Sequence, residues 1–234
     1  MLSSKRVGQE SSPNELTAAI LSSIQCRCAY RRFGKRLFDI TLALVMLPII
    51  LPTILVLLAI VSTDRAKPLF RHRRVGYGGK DFTCYKIRTM VPNAESVLQK
   101  LLAEDPEIAR EWAKHRKLRR DPRITTFGRV LRRTGLDELP QILNVILGSM
   151  SFVGPRPMTR DEFREYAEEN QIFGQAYTAC RPGVTGSWQV TGRRDADVPM
   201  RLALDIEYAQ SCSFKQDLWI IFRTVPEVLG CKGS

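Results

Sequence analysis

Histidine is nearly missing from this chain: among 234 residues only His72 and His115 carry an imidazole. A metal site built from histidines is therefore excluded. Cysteine is present but unpatterned. The six cysteines stand at 26, 28, 84, 180, 212 and 231 with no C-x-x-C pair, and Cys26-x-Cys28 is too close for the usual zinc spacing. They read as free thiols of a reducing compartment. There is no internal repeat and no low-complexity linker in the soluble part. The glycine-rich turn Gly76–Asp81 is not a P-loop, because Asp81 stands where Ser or Thr should follow Lys80. Acidic residues are outnumbered, 24 Asp and Glu against 36 Lys and Arg, for a formal net charge of +12. So basic a surface seeks phosphate: nucleic acid, anionic lipid or a phosphorylated small molecule. Magnesium held by carboxylate and phosphate oxygens stays open.

What the chain has in excess is one apolar run. Ile40 to Val61 carries no charge. At 1.5 Å per residue it makes roughly 33 Å of helix, enough to cross a hydrocarbon core. Arg31, Arg32, Lys35 and Arg36 precede it; Arg65, Lys67, Arg71, Arg73 and Arg74 follow. A spanning helix concentrates its cations on the cytoplasmic side, so both ends want the cytoplasm. Pro48 and Pro52 each delete a backbone bond in mid-segment. A Pro-kinked spanning helix and a re-entrant helix-break-helix stand level on these features. Asp39 at the entrance calls for a cationic partner such as Arg36. Ahead of the run, residues 1–33 form a polar tail with a short helix near Leu16–Ile24. No apolar stretch follows Lys5 and Arg6 soon enough for a signal peptide. The membrane segment is placed at 34–63 and a cytoplasmic domain at 64–230.

Within that domain, Leu69–Thr89 reads as strand, turn, strand. Lys86 and Arg88 are two apart and share a face, either to grip phosphate or as a solvated surface. Residues 94–118 read as one amphipathic helix with a cationic end, Lys114 to Arg120. It is either a leaflet-binding helix or an ordinary surface helix. Asp121-Pro122 marks a turn. The stretch Arg132–Gln141 then places two adjacent carboxylates, Asp137 and Glu138, at a helix start. Pro140 fits only a first turn, and Ile142, Leu143, Ile146 and Leu147 mark a buried face. Anions are favoured at such an end; alternatively Thr134-x-x-Asp137 is only a capping box. Arg156, between Pro155 and Pro157, has a stiffened backbone that pre-organises its guanidinium. Residues 158–170 read as an acidic surface helix and Arg181–Gly186 as a turn. A short strand Ser187–Thr191 and Gly192-Arg193 come next. Helical patterns over Pro199–Ala209 and Gln216–Leu229 carry Asp205 and Asp217.

In order along the chain, Lys35–Asp39, Tyr85–Met90, Leu136–Gln141, Met150–Pro157, Arg181–Gly186 and Leu204–Tyr208 resemble one family over residues 34–230. It is that of the bacterial monotopic phosphoglycosyl transferases, also called bacterial sugar transferases or undecaprenyl-phosphate sugar phosphotransferases. The short form is similar to the exopolysaccharide-initiating sugar transferases of rhizobia. Leu51-Pro52 departs from the common Ser-Pro at the helix break. Ser149 stands where an acidic residue is common, and Gly135 where Ser is frequent.

The resemblance implies an α+β, mainly helical fold: a re-entrant membrane helix broken at Pro48 and Pro52, then a cytoplasmic domain with a small β-hairpin and amphipathic surface helices. It implies an enzyme at the cytoplasmic face of a bacterial inner membrane. The reaction moves phospho-sugar, galactose-1-phosphate or glucose-1-phosphate by the rhizobial similarity, from a UDP-sugar to undecaprenyl phosphate. A covalent aspartyl phospho-sugar lies between the two half-reactions. Asp137 is the expected nucleophile and Glu138 the ligand of Mg²⁺. Lys86, Arg88, Arg132, Arg156 and Arg193 are expected to bind phosphates, and Asp205 to orient them or the nucleotide. No nucleic acid is expected as partner, and a homodimer is left open. The competing classes are a membrane-tethered regulatory protein that binds nucleic acid, with salt-sensitive binding, and a scaffold of glycan assembly indifferent to loss of the carboxylates.

Overall fold

A computed structural model describes residues 30–115, 118–191 and 198–229. The helix expected near Leu16–Ile24, most of the 1–33 tail, Arg193 and Cys26, Cys28 and Cys231 lie outside the described residues. Cys84, Cys180 and Cys212 are buried and form no disulfide with one another.

The apolar run forms helix α1, Lys35–Val61. Where a break was expected, the helix continues through Pro48 and Pro52. Proline's fixed φ suits a helix; what it removes is one N–H per ring, leaving two carbonyls short of donors. The helix is held at intervals along one side. Lys35, Asp39 and Ala43 near one end, and Ile54 and Leu57 near the other, are buried. Leu47, Ile50, Leu58 and Val61 complete this stripe against the same domain. Steps of three and four residues keep the stripe on one side. The opposite side shows Leu44, Val45, Ile49, Leu55 and Val56 to the outside, Ile49 with 76% of its surface exposed.

The ends of α1 are pinned by polar contacts. Asp39, with no exposed surface, accepts from the Ser151 hydroxyl at 2.9 Å and the Phe152 amide at 3.1 Å. Its cationic neighbour is Lys35 at 3.9 Å, not Arg36. Lys35 gives its shorter contact, 2.7 Å, to buried Asp217. Arg36 instead donates to the carbonyls of Val145 and Ile146. One turn of helix presents side chains four apart to one partner and their neighbours to another, so Lys35 and Arg36 part company.

Strands β1 (Leu69–Val75) and β2 (Asp81–Ile87) form the expected antiparallel hairpin, with Phe70 opposite Lys86, His72 opposite Cys84 and Arg74 opposite Phe82. The expected 94–118 helix is two helices, α2 (Ala94–Glu104) and α3 (Pro106–His115). Pro106 forbids the helical conformation to Asp105. Asp105 is extended and caps α3, its Oδ1 accepting from the Glu107 amide at 2.8 Å. Helix α4 (Thr126–Thr134) starts on the Thr125 hydroxyl, which accepts from the Gly128 amide at 2.9 Å, and ends on left-handed Gly135. Helix α5 is Gln141–Leu147. Its buried face is Gln141, Ile142, Asn144 and Val145, whereas Leu143 and Leu147 are exposed, Leu147 at 72%. Expectation had Leu143 and Leu147 inside; two buried polar residues, Gln141 and Asn144, take the inner face instead.

Strand β3 (Ser151–Val153) pairs in parallel with β4 (Gly183–Thr185). Between them lie the capped α6 (Arg160–Glu169) and α7 (Gln171–Thr178). The strand expected at Ser187–Thr191 is instead a short helix, α8 (Ser187–Val190), closed by bonds from the Gln189 amide to the Gly186 carbonyl and from the Thr191 amide to the Ser187 carbonyl. Helices α9 (Val198–Ser211) and α10 (Phe214–Leu229) close the chain. The core is built in linked patches. One joins α7, α9, α10 and β3 through Val153, Ala176, Tyr208 and Ile220. Another joins α1, β2 and α5 through Ala43, Ile54, Cys84, Ile142 and Val145.

Candidate active site

The adjacent carboxylates sit in a single 3-10 turn, Leu136–Glu138, between α4 and α5. Gly135 makes the turn possible. At φ 71° it occupies the left-handed region, where a side chain would strain the backbone. Its amide closes α4 onto the Arg132 and Leu131 carbonyls. Thr134 gives its hydroxyl to the Val130 and Leu131 carbonyls behind it, so the proposed Thr134–Asp137 capping box does not form. The carboxylates precede α5 rather than standing in its first turn, and they are left for other work.

Four of the sequence candidates meet here. Lys86 Nζ reaches Glu138 Oε1 at 2.6 Å. Asp137 is only 8% exposed. Burial, then the charge of Glu138, push its carboxyl up to about 6, while Lys86 and Arg132 pull the other way. Arg132 is aimed by Thr89, whose hydroxyl accepts from its Nε at 2.9 Å. Beside it, Arg123 grips Asp121 through two nitrogens at 2.8 and 2.7 Å. The turn is thus a half-buried pair of carboxylates faced by two cations.

Two features set this geometry. Asn144 of α5 acts as a third strand for β2: its Oδ1 accepts from the Tyr85 amide at 3.0 Å and its Nδ2 donates to the Thr83 carbonyl at 2.7 Å. That locks the strand carrying Lys86 to the helix that follows Glu138. Gly128 lets α4 cross the end of β2, since a Cβ there would stand 2.0 Å from the Thr89 carbonyl oxygen.

The other candidates are placed elsewhere. Arg88 is spent on the end of α1: it donates to the Val61 carbonyl at 3.0 Å, to Asp64 at 2.6 Å and to the Lys67 and Met90 carbonyls. Residues two apart share a face only while a strand lasts, and β2 ends at Ile87. Arg156 is exposed on the loop after β3, and its charge acts on Arg74, Glu162 and Asp205. Asp205 lies beneath that loop, 2% exposed, with one oxygen lacking a hydrogen-bond partner. Burial pushes its carboxyl up to about 8, against the pull of the Arg156 amide and charge. Thr89 and Asn144 were not singled out from the sequence, His72 stood out only as a scarce imidazole, and Arg74 only as one of the cations after the apolar run. Thr89 alone had a signal, lying inside the Tyr85–Met90 motif.

A family model described as bacterial sugar transferase matches residues 30–231. The chain belongs to that family. It is 43% identical over 217 residues to the undecaprenyl-phosphate galactose phosphotransferase of Salmonella typhimurium, covering 92% of this chain but 45% of that protein. It is 42% identical over 202 residues to the exopolysaccharide production protein ExoY of Sinorhizobium fredii, covering 86% of this chain and 88% of that protein. The ExoY protein of Rhizobium meliloti is 43% identical over the same shares. The expectation of a sugar transferase resembling the rhizobial proteins is met. So is the expectation of a mainly helical fold with a small hairpin.

The donor set also bears on a metal. No group of three His, Cys, Asp or Glu side chains capable of caging an ion occurs among the described residues. One or two adjacent carboxylates suit Mg²⁺, which keeps several waters and relies on substrate phosphates.

Proposed function

We propose that the chain transfers phospho-sugar from a UDP-sugar to a polyprenyl phosphate such as undecaprenyl phosphate, with Asp137 as nucleophile. The observation that supports this most is the half-buried Asp137–Glu138 turn facing Lys86 and Arg132. In the first step an Asp137 carboxylate oxygen attacks the phosphorus that bears the sugar. A P–O bond forms to Asp137, the bond to the bridging oxygen breaks, and UMP departs with that oxygen. In the second, a phosphate oxygen of the lipid attacks the same phosphorus and the aspartyl bond breaks, returning the carboxylate and giving lipid diphospho-sugar. Splitting the exchange lowers each barrier.

Burial takes water from Asp137, which makes it a better nucleophile once ionised. Lys86 and Arg132 favour the ionised form and offset the diphosphate charge. Glu138 would hold Mg²⁺ through the oxygen Lys86 does not take, and the ion supplies further neutralisation of the diphosphate. Arg156 reaches donor phosphate from its loop, and Asp205 supports that loop from below. Galactose or glucose is the sugar suggested by the relatives' names. The test is mass spectrometry after incubation with each UDP-sugar and no acceptor. A phospho-sugar adduct on Asp137 and one equivalent of UMP are expected; lipid product without any adduct refutes the nucleophile.

The mounting follows from α1. Its inner stripe packs on one domain and its outer side is apolar, which suits a helix set sideways into one leaflet with both ends cytoplasmic, at the inner membrane. Helix α10 adds a second apolar edge: Phe214, Leu218, Trp219, Phe222 and Val225 are exposed, Phe222 at 67%. Phe214 packs edge-on against Phe38, ring centroids 5.3 Å apart, so this edge continues that of α1. Labelling of an introduced cysteine ahead of α1 from the periplasm alone would defeat the topology.

A further inference from the structure

The row of charges at the site does not stop at Lys86. Partners across an antiparallel pair share a face, so Lys86, Cys84, His72 and Arg74 lie on one side of the hairpin. Arg74 stands at its far end, and both terminal nitrogens of its guanidinium are engaged by the protein. Nη1 donates to the Pro157 carbonyl at 3.1 Å and to Glu162 Oε2 at 3.2 Å. Nη2 lies 3.0 Å from His72 Nδ1. Donation to that nitrogen requires a neutral ring with its proton on Nε2. Burial and then the Arg74 charge hold the His72 ring below its ordinary value, in keeping with that tautomer.

Pro157 closes the loop that carries Arg156. Upstream, the loop is fixed by backbone bonds across β3 and β4: the Gly154 amide to the Thr185 carbonyl at 3.0 Å and the Gly183 amide to the Pro155 carbonyl at 2.8 Å. Downstream it is tied to the end of β1. The Val75 amide donates to the Met158 carbonyl at 2.9 Å, and Tyr177 links the Met158 amide to the Val75 carbonyl. Glu162 caps α6 by accepting from the Thr159 amide at 2.8 Å.

Burial disfavours the Arg74 charge, the Glu162 carboxylate offsets part of that cost, and the like charge of Arg156 adds a smaller repulsion. A neutral side chain could hold Pro157 but would leave Glu162 without its cation. Arg74 ties the Pro157 carbonyl and the Glu162 carboxylate to one point, and by pairing Glu162 it leaves the charge of Arg156 less opposed.

We propose that Arg74 is the positioning residue that sets Arg156 relative to Lys86, so that both reach one nucleoside diphosphate donor. It acts through the loop and touches no substrate. The inference rests on the reading of Arg156 as a donor-phosphate ligand given above.

The experiment is a double-variant cycle on the full chain in membrane nanodiscs, with UDP-galactose and UDP-glucose as donors and undecaprenyl phosphate as acceptor. Arg74→Gln and Arg156→Ala should each lower donor kcat/KM about 10- to 100-fold and leave the acceptor KM unchanged. In the Arg156→Ala background, Arg74→Gln should change donor kcat/KM less than twofold. A merely structural Arg74 would give multiplying effects, or a lower kcat with both KM values intact, and either result overturns the proposal. If Arg74→Gln does not fold by thermal melt, Arg74→Lys, which keeps the charge beside Glu162, carries the same cycle. If Arg156→Ala leaves donor kinetics at the wild-type level, the reading of Arg156 fails and the role of Arg74 with it. If Arg156→Ala is impaired and Arg74→Gln multiplies the loss, only the inference fails.

Discussion

Lys86 Nζ and Glu138 Oε1 lie 2.6 Å apart, joining the second strand of the hairpin to the turn that carries both carboxylates. The two side chains are 29% and 35% exposed. At such exposure the pair is a weak source of stability, worth less than about 1 kcal/mol. Its value lies in charge delivered to the reacting phosphate. Lys86→Met should therefore shift the melting temperature by no more than a few degrees while lowering kcat about 10²- to 10³-fold, as loss of a transition-state donor does. Circular dichroism melts beside UMP-release rates decide it; a large melting shift with intact turnover in the folded fraction would reverse the assignment.

Asp137 gives a prediction in pH. Its carboxyl is pushed up to about 6, so below that value the nucleophile is protonated. The rate of adduct formation with donor alone should fall about tenfold per pH unit beneath about 6 and level off above it. A profile flat down to the ordinary carboxylate range would count against Asp137.

The same shift bears on stability. Between the ordinary carboxylate value and about 6 the folded state holds more protons than the unfolded one, so stability declines as pH rises through that window. A shift of about two units corresponds to about 3 kcal/mol. Asp137→Asn cannot ionise. It should melt about 6–12 °C above wild type at pH 8 and show no advantage near pH 4, on the usual scaling for a domain of this size. Equal melting at both pH values would show that burial does not strain the ionised form.

The helix-strand outline and the acidic pair were legible because their signals are local. The hairpin alternates around a glycine turn, Ile40–Val61 of α1 is a single uncharged run, and Pro140 marks a helix start. Signals of equal strength misled where the third dimension decides. Arg88 shares sequence spacing with Lys86, yet it turns to the end of α1 as the strand stops. Leu143 and Leu147 have core periodicity but face outward, because Asn144 is needed against β2. Ser187–Thr191 looks extended, but its amides bond back along the chain, Gln189 to the Gly186 carbonyl and Thr191 to that of Ser187. Arg74 was legible only as one of the cations after the apolar run: its partners, Pro157 and Glu162, are distant in the chain and meet it only after folding.

Gly128 tests how closely α4 must cross β2. A methyl group there would meet the Thr89 carbonyl oxygen at 2.0 Å, and backbone cannot swing aside as a side chain can. Gly128→Ala should cost about 1–3 kcal/mol. It should also separate Arg132 from Thr89, so that activity falls more than the folded fraction does. Parallel melts and single-turnover rates separate the two effects, and a variant with wild-type values for both would show that the crossing is looser than described.

Helix α10 supplies the last prediction. Trp219 is exposed and stacks under Arg223, whose guanidinium carbon lies 5.4 Å from the ring centre. An aromatic ring flanked by a cation suits the level of lipid headgroups. In a Trp112→Phe, Trp188→Phe variant, Trp219 is the only indole left, the chain having three tryptophans. Reconstituted in vesicles, its fluorescence should be quenched more by lipids brominated near the glycerol end of the acyl chain than by lipids brominated near the methyl end. Aqueous iodide should quench it little. A Trp219 open to iodide and blind to both lipids would leave α1 as the sole membrane contact, and the apolar edge of α10 would then have to be covered by protein.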